Sequence, residues 1–209
     1  MSTPAKASKT LTLAVLIALA LLLAINTITK ERIAKAQQDF LLSNLSAVLP
    51  DEEFDNDPID SMFQHIAPQL GTDRPLSVYP VYRSGQPLAS VLELIAPDGY
   101  SGSIRILLGV YFSGEIIAAR IVQHKETPGL GDDIEYRKSD WILQFNGQSI
   151  SANSDESSQL SPNQSWRMRR DGGQYDAITG ATITSQAVVR AIHRALKWYD
   201  KNKDQVFAS

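Results

Sequence analysis

The strongest constraint on the fold is an uncharged apolar run near the start of the chain, from Leu11 to Ile28. As a helix this run reaches roughly 27 Å, close to the thickness of a bilayer's hydrocarbon core. A cleaved signal peptide is the alternative, but the run is longer than a usual signal core and no small-residue cleavage site follows promptly. The run therefore predicts an uncleaved transmembrane helix at 11–29, preceded by a short N-terminus at 1–10.

The charges on the two sides of this helix do not decide its orientation. Lys6 and Lys9 precede it, while Lys30, Arg32 and Lys35 follow it. The positive-inside rule compares such flanking charges and finds no clear excess on either side. The residues alone leave the topology open.

Composition excludes several kinds of chemistry. The chain has no cysteine, which rules out disulfides, cysteine-ligated clusters and a cysteine nucleophile. His65, His124 and His193 lie far apart in sequence and show no metal-ligand spacing, so we predict no metal site. A net charge of -3 without a basic stripe predicts no nucleic-acid binding. If the chain carries electrons, an organic cofactor must hold them.

Residues 30–75 are predicted to form an amphipathic helix, either a stalk that leaves the membrane or a helix that lies on the domain, followed by an acidic loop. Apolar residues recur at helical spacing over 33–49 and stop at Pro50, which is typical of an amphipathic helix. The acidic run at 51–60 lacks the glycine and ordered ligand spacing of an EF-hand, so a solvated loop is favoured over a metal-binding one.

From Leu76 onward the hydrophobic period changes to two, which predicts antiparallel strands. One pair joins 78–82 to 89–95, and a second joins 104–112 to 116–122 across a Ser113-Gly114 turn. Residues 166–170 are a further possible strand, with a basic outer face. Helices before and after the sheet predict an α+β domain at 76–209.

The sequence Thr179-Gly180-Ala181-Thr182 stands directly before a helical pattern. Thr184 or Ser185 is a suitable N-cap for that helix. A helix start exposes unpaired N–H groups and partial positive charge, which suits a phosphate, and two small residues allow close approach to the backbone. An ordinary turn before a helix remains the alternative at this point.

A second candidate loop runs from His124 to Asp132, directly after a predicted strand. Its sequence, HKETPGLGD, contains one proline and two glycines. Such a loop turns tightly, and its backbone can lie against a flat ligand. A plain surface turn is the alternative.

These segments together resemble one family over essentially the whole chain: the G subunit of the Rnf (also called Rsx) membrane electron-transport complex. APDGYSG, HKETPGLGD, the stretch around Trp141, DGGQYDAITGATIT and the N-terminal anchor all occur in the order that this family has. The chain is similar, more distantly, to the C subunit of the sodium-pumping NADH:quinone oxidoreductase, through the same FMN-binding domain.

The resemblance implies a covalent FMN. In the family, a flavin transferase esterifies the threonine that ends [Ser/Thr]-Gly-Ala-Thr, here Thr182, to the FMN phosphate. The second loop is expected beside the isoalloxazine ring, with Lys125 and Glu126 opposed in charge and the ring-facing side chain left open. The implied cofactor-binding residues are Thr182, Thr179, Gly180, Ala181, Glu126, Thr127 and Leu130.

The resemblance also implies where the protein works. It predicts a single-pass protein of the bacterial inner membrane, with a cytoplasmic N-terminus and the flavin domain on the periplasmic side. Its partners would be the lipid bilayer, the other subunits of the complex and the transferase. Its FMN would relay electrons in ferredoxin- and NAD-linked transfer coupled to ion translocation, without catalytic residues of its own. The alternatives are a membrane-tethered flavin reductase acting alone and a cofactor-free assembly subunit.

Overall fold

The structure is a computed structural model that describes residues 4–49, 53–150 and 162–208. The chain divides into two compact units, and the division falls between Ser43 and Asn44. Two residues of the acidic run, 51 and 52, lie outside the described ranges. The second unit begins earlier than the predicted domain start at 76.

The described residues of the first unit lie within a long helix, α1, which runs from Pro4 to Ser46. Within the described residues, one segment of this helix, Leu11–Lys30, is long and apolar enough to cross a membrane. The predicted transmembrane and stalk helices are thus one continuous helix, because no proline or glycine interrupts the sequence between Pro4 and Ser46.

The second unit is built on a five-stranded antiparallel sheet whose spatial order follows the chain order. The strands are β1 Phe63–His65, β2 Leu76–Arg83, β3 Gln86–Ala96, β4 Ile104–Tyr111 and β5 Ile116–Gln123. The helices are 3-10 turns at Pro68–Leu70, Gly131–Ile134, Asp140–Phe145 and Arg169–Asp171, the short α2 Pro162–Ser165 and the long α3 Thr182–Phe207. The predicted α+β class, with one antiparallel sheet and flanking helices, is confirmed.

Two hydrophobic layers cover the sheet. One face packs against α3 through alternating residues such as Leu92, Leu94 and Leu108, which are fully buried. The other face packs against Leu45 and Val48. Burial on both faces explains why the second unit includes the end of the helix predicted at 33–49, which the sequence left as either a stalk or a helix on the domain.

Three local predictions need correction. The first concerns 166–170, which do not form a strand: Met168 makes an isolated bridge to Tyr175, and the 3-10 turn Arg169–Asp171 follows. The bulky side chains that suggested a strand instead fill the aromatic cluster under α3. The second concerns β4, which stops at Tyr111, so the link to β5 is longer than the two-residue turn expected.

The third correction concerns the start of α3. The helix begins at Thr182 with Ala181 as its N-cap residue, and no side chain caps it. Ser185, a predicted cap, is fully buried; its hydroxyl accepts from the Ile178 N–H and donates to the Ala181 carbonyl, both at 3.0 Å. It therefore fixes the turn that leads into the helix.

Candidate functional site

The candidate site lies where three segments meet at one end of the sheet. Antiparallel pairing brings the end of β3, the start of β4 and the end of β5 to the same end of the sheet, as the pairs Ala96↔Ile104 and Arg105↔Gln123 show. The loop 97–103, the loop 124–130 and the start of α3 enclose a cavity of about 430 Å³ there. This volume lies in the range typical of small-molecule and cofactor sites.

Most of the predicted cofactor residues line this cavity. Those that do are Thr182, Gly180, Ala181, Glu126, Thr127 and Leu130. Thr179 does not line it and is exposed. Of the two opposed charges, Glu126 lines the cavity, whereas Lys125 is exposed and does not.

Four further residues line the cavity and were not predicted: Tyr100, Gly131, Ile183 and Thr184. Tyr100 belongs to the turn-rich APDGYSG loop, which the sequence identified only as a loop. Its large separation from Thr182 along the chain leaves no local signal that the two residues line the same cavity. Thr184 and Ile183 follow Thr182 directly, so only the position of the helix start could have indicated them.

The start of α3 offers a place for an anion. The N–H groups of Thr182, Ile183 and Thr184 belong to the first helical turn and have no carbonyl one turn earlier within the helix. Since no side chain caps the helix, these donors remain available for a ligand, and the helix dipole adds partial positive charge. All three residues line the cavity.

Gly180 holds the backbone in a conformation that other residues adopt at a cost. Its φ is +80°, in the left-handed region, and a Cβ placed on it would lie 3.1 Å from Leu130 Cδ2. A side chain here would therefore strain the turn and crowd the cavity wall. The glycine leaves the backbone beside Thr182 open.

The two threonines of the motif and the nearby Thr184 differ in the state of their hydroxyls. Thr179 is exposed outside the cavity. Thr184 is 1% exposed, and its hydroxyl donates to Glu126 Oε2 at 2.6 Å. Thr182 is half-buried and lines the cavity, and no hydrogen bond engages its hydroxyl among the residues described. Thr182 is thus the motif threonine that combines cavity access with an uncommitted hydroxyl.

The loop 124–130 is held by its own hydrogen bonds. His124 Nδ1 accepts from the Glu126 N–H at 3.0 Å, so its proton lies on Nε2, which faces Glu135 Oε1 at 2.8 Å. The Gly129 N–H donates to Asp132 Oδ1 at 2.6 Å. Burial raises the pKa of Asp132, but this hydrogen bond and the Lys138 ammonium outweigh it, so the pKa is lowered overall.

The mouth of the cavity is apolar. Tyr100, Leu130 and Ile183 are 69%, 48% and 50% exposed, and each comes from a different enclosing segment. Arg190, on α3, holds the loop that carries Tyr100 through Asp98, with Nη2 to Oδ2 at 2.6 Å. An anion site at the helix start beside apolar walls suits a ligand with a phosphate and a flat, largely apolar ring.

Comparison with known proteins agrees with this geometry. The family model of the FMN-binding domain matches residues 99–197, a range that contains the whole cavity lining. The class of protein is therefore one that carries an FMN-binding domain. No group of three or more His, Cys, Asp or Glu side chains suited to a metal occurs within the described residues.

Curated relatives identify the family within that class. The chain is 41% identical over 194 residues to the G subunit of the ion-translocating oxidoreductase complex of Pseudomonas aeruginosa (strain PAO1), covering 92% of this chain and 87% of the relative. It is 41% identical over 184 residues to the protein of the same name from Shewanella amazonensis, covering 88% and 82%. The chain belongs to the family of G subunits of the ion-translocating oxidoreductase complex, which confirms the resemblance noted in the sequence.

A solved structure is also similar. The crystal structure of NqrC from Shewanella oneidensis matches with a TM-score of 0.49 at 18% sequence identity, covering 79% of this chain and 74% of that one.

Proposed function

We propose that this protein is a membrane-anchored flavoprotein subunit whose FMN is esterified to Thr182 and relays electrons within an ion-translocating complex. The observation that carries the proposal is the setting of Thr182, with its hydroxyl at the cavity wall in the first turn of an uncapped helix. FMN supplies one- and two-electron transfer when bound. The protein supplies its position and its surroundings.

The attachment we propose is a phosphoester. The hydroxyl oxygen of Thr182 bonds to the phosphorus of an activated flavin phosphate, the hydroxyl proton is released, and the leaving group departs with the electron pair of its bond to phosphorus. A dedicated flavin transferase catalyses this step. The product keeps one negative charge, which the exposed N–H groups of the helix start stabilise by about 0.3–1 kcal/mol.

The remaining cavity residues suit the flavin ring. Gly180 and Ala181 keep side chains away from the backbone near the phosphate, while Thr127 and Leu130 lie on the opposing loop. Thr179 belongs to the motif that the transferase reads and does not contact the ring in this proposal. In this proposal the flavin is held within 76–209, which is part of the second unit, with the helix 11–29 as the membrane anchor and 30–75 between them.

Family membership supports the cellular setting that we propose. We place the protein in the bacterial inner membrane as a single-pass subunit, with residues 1–10 in the cytoplasm and the flavin domain in the periplasm. The complex transfers electrons between ferredoxin and NAD and couples this transfer to ion movement. The protein is one relay among the other subunits and holds no active site of its own.

Substitution at Thr182 tests the proposal. The full chain, produced with its transferase, should give a fluorescent flavin band on a denaturing gel, and Thr182→Val should remove that band. Thr182→Ser keeps the hydroxyl and should retain part of it. Thr184→Val should keep the band even if it alters the flavin's surroundings, because the hydroxyl it removes already donates to Glu126 and is not the proposed attachment point. Flavin that survives denaturation in Thr182→Val would refute the attachment.

The same experiment separates the alternatives. A cofactor-free assembly subunit would purify without colour from cells that contain the transferase. A flavin reductase acting alone would turn over a diffusible substrate as a purified protein. We expect a yellow protein without turnover until the other subunits are added.

A further inference from the structure

Glu126 is a buried carboxylate in the wall of the candidate flavin site. Its exposure is 5%, and no Lys, Arg or His forms an ion pair with it among the residues described. A buried charged group without such a partner is costly unless hydrogen bonds replace the lost hydration. The donors around Glu126 therefore decide what this side chain does.

Both carboxylate oxygens already accept hydrogen bonds from the protein. Oε1 accepts from the Ser101 N–H at 3.0 Å, and Oε2 accepts from the Thr184 hydroxyl at 2.6 Å. The second bond is short, as is typical of a hydroxyl that donates to a charged carboxylate. Glu126 thereby connects its own loop to the loop that carries Tyr100 and to the first turn of α3.

Two glycines make room for this connection. A Cβ on Gly99 would lie 2.8 Å from Glu126 Oε1, and a Cβ on Gly131 would lie 2.8 Å from Oε2. Cβ atoms essentially never approach that closely, so a side chain at either position would displace the carboxylate, and at Gly99 it would also clash with the Gly102 carbonyl oxygen. The carboxylate oxygens therefore lie close against the backbone of both loops.

We infer that Glu126 is a positioning residue for the flavin site, which holds the Tyr100 loop and the helix start in place through Ser101 and Thr184. Its effect on the cofactor passes through these partners, because each of its carboxylate oxygens is bonded to one of them. The inference rests on the proposed function only in taking the cavity as the FMN site. Thr184 and Thr182 both belong to the first turn of α3. A displacement of Thr184 therefore also displaces Thr182, the proposed attachment point.

A charge-conserving double-mutant cycle tests the inference on the full chain in detergent after production with the transferase. Glu126→Asp keeps the negative charge but shortens the side chain, so it cannot reach both donors. Thr184→Val removes one donor, and Thr184→Ser restores it. The readouts are the visible circular dichroism of the flavin and its midpoint potential, together with covalent loading measured by intact mass.

We expect Glu126→Asp and Thr184→Val each to change the flavin dichroism and shift the potential. In the double variant, the dichroism and the potential should each change by no more than in the more affected single variant, because the two substitutions break the same Thr184–Glu126 hydrogen bond. Thr184→Ser should match the parent. Glu93→Asp is the control: Glu93 is also a buried carboxylate, bonded to the Ser77 N–H and Arg105, but it does not line the cavity. It should leave the flavin signals unchanged.

Two results would overturn the inference. One is that Thr184→Val matches the parent in both the flavin dichroism and the midpoint potential. If Glu126→Asp takes up no flavin, the result for Thr184→Val decides the inference by itself. The other is that the two changes add fully in the double variant, which would mean that Glu126 acts on the ring directly. Failure of the proposed covalent attachment gives a different result, because the parent protein itself then loses its flavin on denaturation. The coupling between Glu126 and Thr184 can still be measured in that case on flavin that is bound without a covalent bond.

Discussion

Substituting Gly180 should separate the cost of backbone strain from the crowding of the flavin site. Its φ of +80° is in the left-handed region, where a residue with a Cβ loses about 1–2 kcal/mol. For a unit of this size, 1 kcal/mol corresponds to roughly 2–4 °C in melting temperature. Gly180→Ala should therefore lower the melting temperature of the second unit by about 2–8 °C.

Gly172 provides a matched control for this strain. It has the same φ of +80°, nothing lies within 4 Å of a Cβ placed on it, and it does not line the cavity. Gly172→Ala should thus cost about as much stability as Gly180→Ala. The two differ at the cavity, where the Cβ of Gly180→Ala would lie 3.1 Å from Leu130 Cδ2 and Gly180→Val would add a branched side chain beside the helix start.

The assay measures melting temperature and covalent flavin on the same preparations. Flavin fluorescence in a denaturing gel, divided by protein stain, gives the loaded fraction. We expect Gly172→Ala and Gly172→Val to load like the parent and Gly180→Val to load little or none. If Gly180→Val loads as well as the parent while its melting temperature falls, the close approach of the phosphate to this backbone is refuted.

Three further predictions concern the loop, the anchor and the response to acid. Thr127→Val and Glu126→Gln should each shift the flavin midpoint potential with covalent loading intact; a redox titration in which both match the parent would place the loop outside the site. Residues 11–28 should remain in the mature protein, whereas N-terminal sequencing that begins after Ile28 would show a cleaved signal. Burial, with Lys197 and Arg194, lowers the pKa of His193 from 6.5 to about 4. The unfolded chain therefore binds more protons between these values, so stability should fall as pH drops through that window. His193→Phe, which can keep the stacking on Trp166, should flatten this part of a melting-temperature profile, and an unchanged slope would count against the assignment.

The parts of the fold that follow from local patterns were predictable from the sequence. Alternation located both hairpins, because alternating residues of their strands belong to the core cluster that contains α3. The three-residue β1 was missed, since so short a strand carries too few alternating positions to be recognised. The N-cap of α3 was placed three to four residues late, because Thr184 and Ser185 resemble caps but use their hydroxyls elsewhere.

The candidate site was predictable in its two loops and not in the contacts between them. The Thr-Gly-Ala-Thr motif and the Pro-Gly-Leu-Gly loop each have a composition that indicates close backbone approach. The Glu126–Thr184 bond joins residues 58 positions apart, and the Glu126 bond to Ser101 spans 25. Contacts between residues so far apart in sequence form only because the folded sheet brings the loops together at one of its ends. No local sequence pattern therefore specifies them.

The mass of one peptide from native protein tests directly whether FMN is attached to Thr182. Trypsin cleavage after Arg170 and Arg190 releases a peptide that contains Thr179, Thr182 and Thr184. If Thr182 carries FMN as a phosphoester, this peptide is heavier than the unmodified peptide by the mass of FMN less one water. Fragmentation should then assign the added mass to Thr182. An unmodified peptide from yellow protein, or the added mass on Thr179 or Thr184, would contradict it.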